Sequence, residues 1–257
     1  MKKETVGILP SDKIKVWDVQ RVDDKIIQGF KEMTDVAGVV ARALDQFGIN
    51  GTVPASTLPS LTPGKRVVGS ALTVRSIPER KIPYKYWEKG EPTLLGEREA
   101  FFLAREGDVV VIDGSSVYPA SNLGSFSVLL AARLGVAGVI VDGMVTGVDG
   151  IRAVDIPIWS KGGTTVTGHH RLETAEINGP IGMCGIRVEP GDLVIGDDSG
   201  VTVVPREMAA DVLARCHKMK GVVGPMRDMV RSGADRETLR RELAGQMQAL
   251  SETPVRK

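Results

Sequence analysis

Two segments of the sequence share one design: Val109-Val110-Val111-Ile112-Asp113-Gly114 and Val139-Ile140-Val141-Asp142-Gly143. Each is a short run of β-branched residues that stops at Asp-Gly, a pattern typical of a strand followed by a turn. A helical pattern over residues 121–134 lies between them, so this region is predicted to run strand, helix, strand. In open α/β sheets, ligands bind in the crevice beyond the carboxyl ends of the strands. The two Asp-Gly ends are therefore predicted to border a site.

Other short β-branched runs, bounded by Gly, Asp or Pro, predict further strands. The predicted strands cover residues 67–74, 108–112, 138–141, 156–159, 181–188, 193–195 and 201–204. Asp197 and Asp198 fall between the last two and suit a hairpin turn. Residues 51–64 have no hydrophobic period and are predicted to form a loop. These elements predict a layered α/β fold with mixed sheets.

Apolar residues spaced by three and four predict two helices between residues 23 and 47, the second capped by Thr34 or Asp35. A third helix is predicted over residues 94–105, and a charged helical tail follows residue 206. We expect one domain overall, with N-terminal helices in residues 1–50, a core in 51–205 and the tail in 206–257.

The composition limits the classes of partner and compartment. Lys and Arg number 33 against 32 Asp and Glu, a net charge of +1, so no long-range field favours nucleic acid. No stretch approaches the roughly 20 consecutive apolar residues of a membrane helix, and no secretory leader is recognisable. Cys184 and Cys216 lack the spacing of a metal or redox pair and are interpreted as structural thiols. A cytoplasmic protein without nucleic-acid or membrane partners is expected.

The loop after the first Asp-Gly is rich in small and hydroxylated residues and leads into the predicted helix. Unpaired backbone N–H groups at a helix start attract anions, and a carboxylate is the natural guest. The candidate substrate-binding residues here are Ser121, Asn122, Gly124, Ser125 and Phe126. The alternative is an ordinary turn with a helix cap at Ser121 or Asn122.

Several motifs in the same order resemble the RraA-like family, which includes the 4-hydroxy-4-methyl-2-oxoglutarate aldolases. The motifs are Gly69-Ser70-Ala71-Leu72-Thr73-Val74, Gly107-Asp108 leading into the first Asp-Gly strand, Leu123-Gly124, Gly135-Val136-Ala137-Gly138 leading into the second, and Pro190-Gly191-Asp192-Leu193-Val194-Ile195-Gly196-Asp197-Asp198-Ser199-Gly200-Val201. The resemblance runs from about residue 64 to 205. It implies a β/β/α fold of the swivelling, phosphohistidine-domain-like kind, and homotrimers or homohexamers with sites between subunits.

The sequence departs from the aldolase pattern at charged positions. The resemblance implies Gly-Glu at the helix start and Arg-Asp after the second Asp-Gly, but this chain has Gly124-Ser125 and Thr146-Gly147. In the aldolases the arginine orients the substrate carboxylate and the aspartate holds a divalent cation. An acidic residue that the family often places just beyond is replaced by Gly150. Cleavage of 4-hydroxy-4-methyl-2-oxoglutarate is therefore expected to be weak or absent.

Neighbouring residues are candidates to compensate for these losses. Asp149 is the candidate catalytic carboxylate and ligand for Mg²⁺ or Mn²⁺, with a turn or helix-cap aspartate as the alternative. Asp142 and Thr146 are candidate walls of the substrate site.

Two other segments carry candidate residues. His170, in the pair His169-His170, is a candidate for proton transfer, with a surface loop as the alternative. Lys85 lies in an aromatic and basic segment, residues 81–89, that suits either a lid over an anionic substrate or a subunit contact.

Two functions from different classes remain open at this stage. The first is a divergent RraA-like lyase that acts on a small keto or hydroxy carboxylate by aldol cleavage or decarboxylation. The second is a non-catalytic regulator of the ribonuclease-E activity type, which also belongs to the family and fits the loss of the Arg-Asp pair. The retained polar site favours the enzyme.

Overall fold

A computed structural model of the protein describes residues 5–80, 83–114 and 119–251. Its strands are β1 (Thr52–Pro54), β2 (Val67–Pro78), β3 (Val109–Asp113), β4 (Ser121–Gly124), β5 (Gly138–Thr146), β6 (Ile158–Gly163), β7 (Leu172–Ile177), β8 (Ile181–Met183), β9 (Ile186–Val188), β10 (Leu193–Asp197) and β11 (Gly200–Val204). Its helices are α1 (Asp24–Lys31), α2 (Val36–Phe47), α3 (Pro83–Lys89), α4 (Glu97–Leu103), α5 (Ser125–Arg133), α6 (Val148–Arg152), α7 (Ala209–Arg231) and α8 (Arg236–Ser251).

The main sheet is mixed, as predicted. Its strand order is β1-β11-β10-β2-β3-β5-β4, with β6 also paired to β5 and β7 to β2. The centre, β2-β3-β5, is parallel, and so are the pairings of β4 and β6 with β5. The strands β1, β7, β10 and β11 pair antiparallel. Asp113 and Asp142 are direct neighbours in the β3–β5 register, so the two Asp-Gly pairs lie side by side. The prediction that both strands end there is wrong for β5, which continues to Thr146 because β4 and β6 pair with its last residues.

Helices cover the sheet in two groups, and the sheet curls onto itself. The helices α4, α5 and α6 pack on the face of β3 and β5 that carries Ile112 and Val141. The N-terminal helices α1 and α2 share a second cluster with α7 and β10. On the other face of the sheet, Trp159 of β6 packs against Gly196 of β10, and its indole Nε1 donates to the Asp197 carbonyl at 3.2 Å. The β8–β9 hairpin closes this third cluster.

The helix predicted to begin at Ser121 begins instead at Ser125, which is a correction. Residues 121–124 form β4, which pairs in parallel with the end of β5. Asn122 is completely buried, and a Cβ on either Gly114 or Gly143 would collide with its amide. Tertiary packing thus overrides the local helical pattern, and it also explains why a glycine follows each of the two aspartates.

Smaller differences have local reasons. Residues 181–188 form a hairpin rather than one strand, since Cys184 and Gly185 both adopt positive φ. Residues 51–64 include the short strand β1, which pairs with the start of β11. Asp35 precedes α2 but makes no side-chain cap, because its carboxylate pairs with Arg227 at 3.0 Å. The β10–β11 hairpin at Asp197 and Asp198 is confirmed.

A buried ion pair ties the N-terminal segment to the start of β3. Asp108 accepts hydrogen bonds from Arg21 Nε at 2.8 Å, Arg21 Nη2 at 2.7 Å and the Arg105 backbone N–H at 2.7 Å. We expect Asp108→Ala to lower the free energy of unfolding by about 3–5 kcal/mol, because it leaves a buried guanidinium unpaired. Urea unfolding measures this loss.

The matched control for that prediction is Asp155→Ala. Asp155 pairs with Lys65 at 3.0 Å but is fully exposed, so this change should cost under about 0.5 kcal/mol. A loss below about 1 kcal/mol for Asp108→Ala would show that the Arg21 pair adds little to the fold.

Candidate active site

A small cleft of about 80 Å³ lies at the carboxyl ends of β4 and β5. The start of α5, the start of α4 and the loop before β7 complete its walls. Its lining side chains and backbone come from Leu95, Glu97, Arg98, Ser121, Leu123, Gly124, Phe126, Ser127, Thr146, Thr167, Gly168 and His169. The lining therefore mixes polar and apolar groups, and the small volume of the cleft suits a short-chain ligand.

The start of α5 faces this cleft without a side-chain cap. Gly124 occupies the N-cap position, and no side chain accepts a hydrogen bond from the first turn. The free N–H groups of a first helical turn and the positive end of the helix dipole both favour an anion. The helix start is therefore at Ser125 rather than Ser121, and anion binding there stays a prediction.

Arg98 supplies a positive charge to the cleft. Its guanidinium lies over the ring of Phe126, 5.2 Å from the centroid, and its Nε donates to Ser127 Oγ at 3.2 Å. These two contacts orient the planar group. Within the described residues, the terminal Nη1 and Nη2 atoms make no hydrogen bond, so both are available to a ligand. A guanidinium with two free nitrogens binds a carboxylate in bidentate fashion.

Glu97 is the acidic group of the cleft, and it is buried with only 4% of its surface exposed. Ser127 Oγ donates to its Oε1 at 2.7 Å. Burial raises the pKa of Glu97, while the hydrogen bond from Ser127 and the charge of Arg98 act in the opposite direction and do not cancel it. Desolvation disfavours the charged form of a carboxyl, so Glu97 holds a proton over a wider pH range than an exposed glutamate.

His169 also lines the cleft, and its loop is tied to β4 by hydrogen bonds. The Gly168 N–H donates to Ser121 Oγ at 3.2 Å, and the Ser121 N–H donates to the Val166 carbonyl at 3.0 Å. Burial, and then the charge of Arg98, lower the pKa of His169. The imidazole is therefore neutral near pH 7 and able to accept a proton.

The structure brings several predicted substrate-binding residues to the cleft. Ser121, Gly124, Phe126 and Thr146 all line it. Ser125 lies immediately beside them at the first position of α5.

The replaced family positions are neighbours in space. A Cβ on Gly147 would lie 2.9 Å from Ser125 Oγ, and one on Gly150 would lie 2.8 Å from Ser125 Cβ. Gly147 also has a φ of +72°, which side chains rarely adopt. The substitutions at these three positions therefore form one packed unit, in which α6 approaches the start of α5 closely.

Other candidates lie outside the cleft. Asp149 is exposed on α6, and Lys85 is exposed on α3. Asn122 is buried under the two Asp-Gly ends. The loop residues 115–118 and the segment residues 81 and 82 lie outside the described residues.

Asp142 makes its contacts on the other face of the sheet, where they have a structural role. Its carboxylate forms an ion pair with Lys161 and accepts the backbone N–H of Cys184 at 2.5 Å. Although burial acts against it, the hydrogen bond and charge of Asp142 raise the pKa of Lys161. Burial and the nearby Asp142 charge raise the pKa of the Cys184 thiol to about 12, which fits a structural thiol.

His170 is buried with 7% of its surface exposed and a φ of +57°, whereas its neighbour His169 reaches the cleft. Of the two histidines, His169 is therefore the one that lines the cleft, and a role for either stays a prediction. Glu97, Arg98 and Ser127 were not predicted. The sequence feature that could have indicated these residues is Glu97. This carboxylate lies four residues before the buried Phe101, on the inward face of a predicted helix.

These features define a layered, mixed α/β protein with a small cleft at the ends of parallel strands. The family model described as RraA-like, Aldolase/RraA, matches residues 23–203. The chain therefore belongs to the RraA-like family.

Individual relatives agree with this assignment. A protein of Halalkalibacterium halodurans, provisionally named a 4-hydroxy-4-methyl-2-oxoglutarate aldolase, is 32% identical over 63% of this chain and 71% of its own length. An uncharacterized protein of Methanocaldococcus jannaschii is 31% identical over 69% of this chain and 79% of its own.

Among solved structures, an unusual member of the RNase ES inhibitor RraA protein family from Streptomyces coelicolor has a TM-score of 0.68 at 24% identity, over 82% of this chain and 99% of its own. At that identity the likeness concerns the fold alone. Across the described residues, no helix combines the length and apolar character needed to cross a bilayer.

Proposed function

We propose that the protein is a divergent RraA-like lyase that acts on a small keto or hydroxy carboxylate by aldol cleavage or decarboxylation. The observation that carries this proposal is the position of Arg98, which lines the cleft beside the uncapped start of α5 and whose Nη1 and Nη2 make no hydrogen bond within the described residues. Together they recreate a carboxylate site where Thr146 has replaced the family arginine. The names of the aldolase relatives support the same class of reaction.

The carboxylate of the substrate binds to Arg98, which leaves the reacting carbons between Glu97 and His169. In aldol cleavage, neutral His169 takes the proton of the substrate hydroxyl as the carbon–carbon bond breaks. The electron pair of that bond passes into an enolate, which Arg98 and the positive end of α5 stabilise. Glu97 then gives its proton to the enolate carbon and regains one from solvent, while His169 releases its own.

Decarboxylation uses the same groups with one difference. No hydroxyl proton needs to be removed, since the breaking bond releases carbon dioxide and leaves the enolate directly. Glu97 again supplies the proton to carbon. Asp149 and His170, the candidates from sequence, have no part in this scheme because neither lines the cleft.

The divalent cation that the resemblance implies does not fit these residues. Glu97 is the one carboxylate among the described cleft residues; burial favours its protonated form, and Arg98 places a positive charge beside it. In the described part of the chain, no group of three or more His, Cys, Asp or Glu side chains is arranged to hold a metal ion. We therefore derive no step through Mg²⁺ or Mn²⁺.

The resemblance also implies trimers or hexamers, and we retain this as a proposal. Phe102, Phe126 and Leu129 are all more than 40% exposed on α4 and α5 beside the cleft. Exposed apolar side chains grouped near a site favour a contact between copies.

The assay that tests the function measures pyruvate release in the presence of EDTA, which also suppresses metal-driven breakdown of oxaloacetate. We expect the protein to accelerate decarboxylation of oxaloacetate, or cleavage of a short hydroxy-keto acid, with little activity toward 4-hydroxy-4-methyl-2-oxoglutarate. Activity toward 4-hydroxy-4-methyl-2-oxoglutarate is expected to be low because the chain departs from the Arg-Asp pattern of the aldolases. Absence of any turnover, together with no keto-acid binding, would overturn the lyase and favour the regulatory protein.

A further inference from the structure

A larger groove lies between α2 and α7, away from the cleft. Its volume is about 460 Å³, within the roughly 300–1,000 Å³ typical of small-molecule sites. Met33, Val39 and Met219 line it with apolar surface, and they belong to or pack against the second core cluster rather than the cluster beneath the cleft. This apolar lining accommodates the apolar part of a ligand.

The rim of this groove carries an excess of positive charge. Arg227 pairs with Asp35 at 3.0 Å, and Arg231 lies 4.0 Å from Asp228. The two remaining cations, Arg42 and Lys220, make no ion pair or hydrogen bond within the described part of the chain, although both line the groove. Because these cations are unneutralised, the groove favours a ligand with one acidic head group.

A glycine in the first turn of α2 leaves space in the groove. Gly38 of α2 lines it, and a Cβ built on Gly38 meets no atom within 4 Å. Neither close packing nor positive φ requires glycine at this position. Gly224 of α7 also lines the groove, but it precedes Pro225, which itself disfavours a side chain in helical conformation. Gly38 has no such local explanation.

We infer that this groove is a second binding site, for an amphipathic anion made of an aliphatic chain and one carboxylate. The chain lies on Met33 and Met219, in the space that Gly38 leaves, and the carboxylate meets Arg42 and Lys220. This inference does not depend on the proposed lyase, because no residue of the groove belongs to the cleft.

The probe is decanoate, used below its micelle concentration and measured by displacement of the fluorescent apolar anion 8-anilinonaphthalene-1-sulfonate. We expect saturable binding of one decanoate per chain. Gly38→Leu fills the space for the chain and should weaken decanoate at least about tenfold. Arg42→Gln should weaken it by about tenfold through loss of a charged hydrogen bond. Decanol, which lacks the charge, should bind at least about tenfold more weakly than decanoate.

Gly221→Leu is the matched control, because Gly221 is an exposed helical glycine that also meets nothing within 4 Å but lies outside the groove. Its affinity for decanoate should stay within about twofold of the unmodified chain. Thermal melts confirm that each variant is folded, as expected when leucine replaces a helical glycine.

Three results would overturn the inference. The first is the absence of decanoate binding to the unmodified protein, and the second is equal binding by Gly38→Leu. The third is equal affinity for decanol, which would show that the cations play no part. If the unmodified protein binds no decanoate and Gly38→Leu changes the mass measured by light scattering, the groove is a contact between copies instead.

Discussion

Replacing Arg98 by glutamine is expected to lower kcat/KM for the keto-acid substrate by roughly 30-fold or more and to abolish measurable binding of pyruvate. Removing one member of a desolvated charge pair costs about 2–5 kcal/mol, and each 1.4 kcal/mol is tenfold in affinity. The substituted amide would keep one donor near Ser127 but lose the fork that holds both carboxylate oxygens. Steady-state kinetics and calorimetric titration measure the two effects.

Two further variants make this result specific. Arg98→Lys keeps the charge without the planar fork, so we expect intermediate binding. Arg105→Gln is the matched control, because Arg105 is exposed and pairs with the exposed Asp18 at 2.9 Å. An Arg98→Gln protein with unchanged kcat/KM would remove the substrate carboxylate from this position.

Replacing Glu97 by glutamine is expected to lower kcat by about 10²–10⁴, the usual contribution of a positioned acid or base, with little change in KM. Glutamine has nearly the shape of the protonated carboxyl and still accepts the hydrogen bond of Ser127 Oγ. The fold should therefore persist while proton transfer is lost. Glu106→Gln, at an exposed position, is the control and should leave kcat unchanged.

Glu97→Gln is also expected to change how the free energy of unfolding depends on pH. The pKa of Glu97 is raised in the folded protein, so between its ordinary value of 4.5 and the folded value the native state binds more protons than the unfolded state. Its contribution to stability is full below 4.5 and is lost as pH rises through the folded pKa. Glu97→Gln should lack this loss, whereas identical pH dependence in both proteins would show that Glu97 ionises normally.

Much of the fold follows from local sequence patterns. The β-branched runs that end in Asp-Gly are buried parallel strands in register, because such runs have few other stable arrangements. The hairpin at Asp197 and Asp198 follows from its turn residues. The RraA-like assignment, made on motifs between about residues 64 and 205, is confirmed by the family match over residues 23–203.

The elements that local patterns missed are those fixed by tertiary contacts. The strand β4 has the composition of a helix start, and only its pairing with β5 and the burial of Asn122 make it extended. The strand β7 pairs with the far end of β2 across a register shift at Arg75 and Ser76. No hydrophobic period in the local sequence indicates which strand β7 pairs with.

The residues that line the cleft are accessible to sequence reasoning only in part, for the same reason. The segment around Ser121 and Phe126 was proposed because the N–H groups of a helix start favour anions. Glu97 and Arg98 come from a helix that reaches the cleft through the packing of α4 on α5, so their role depends on distant residues such as Ser127. Asp149 was a reasonable choice by spacing, but α6 turns it outward to solvent.

The central claim is that this cleft binds a small carboxylate through a guanidinium rather than through a metal ion. Titration of the protein with oxalate in EDTA, followed by calorimetry, tests it most directly, because oxalate has the planar shape and charge of a pyruvate enolate. We predict one oxalate per chain for the unmodified protein and none for Arg98→Gln. Oxalate binding that requires added Mg²⁺ or Mn²⁺, or that is equal in Arg98→Gln, would contradict the account.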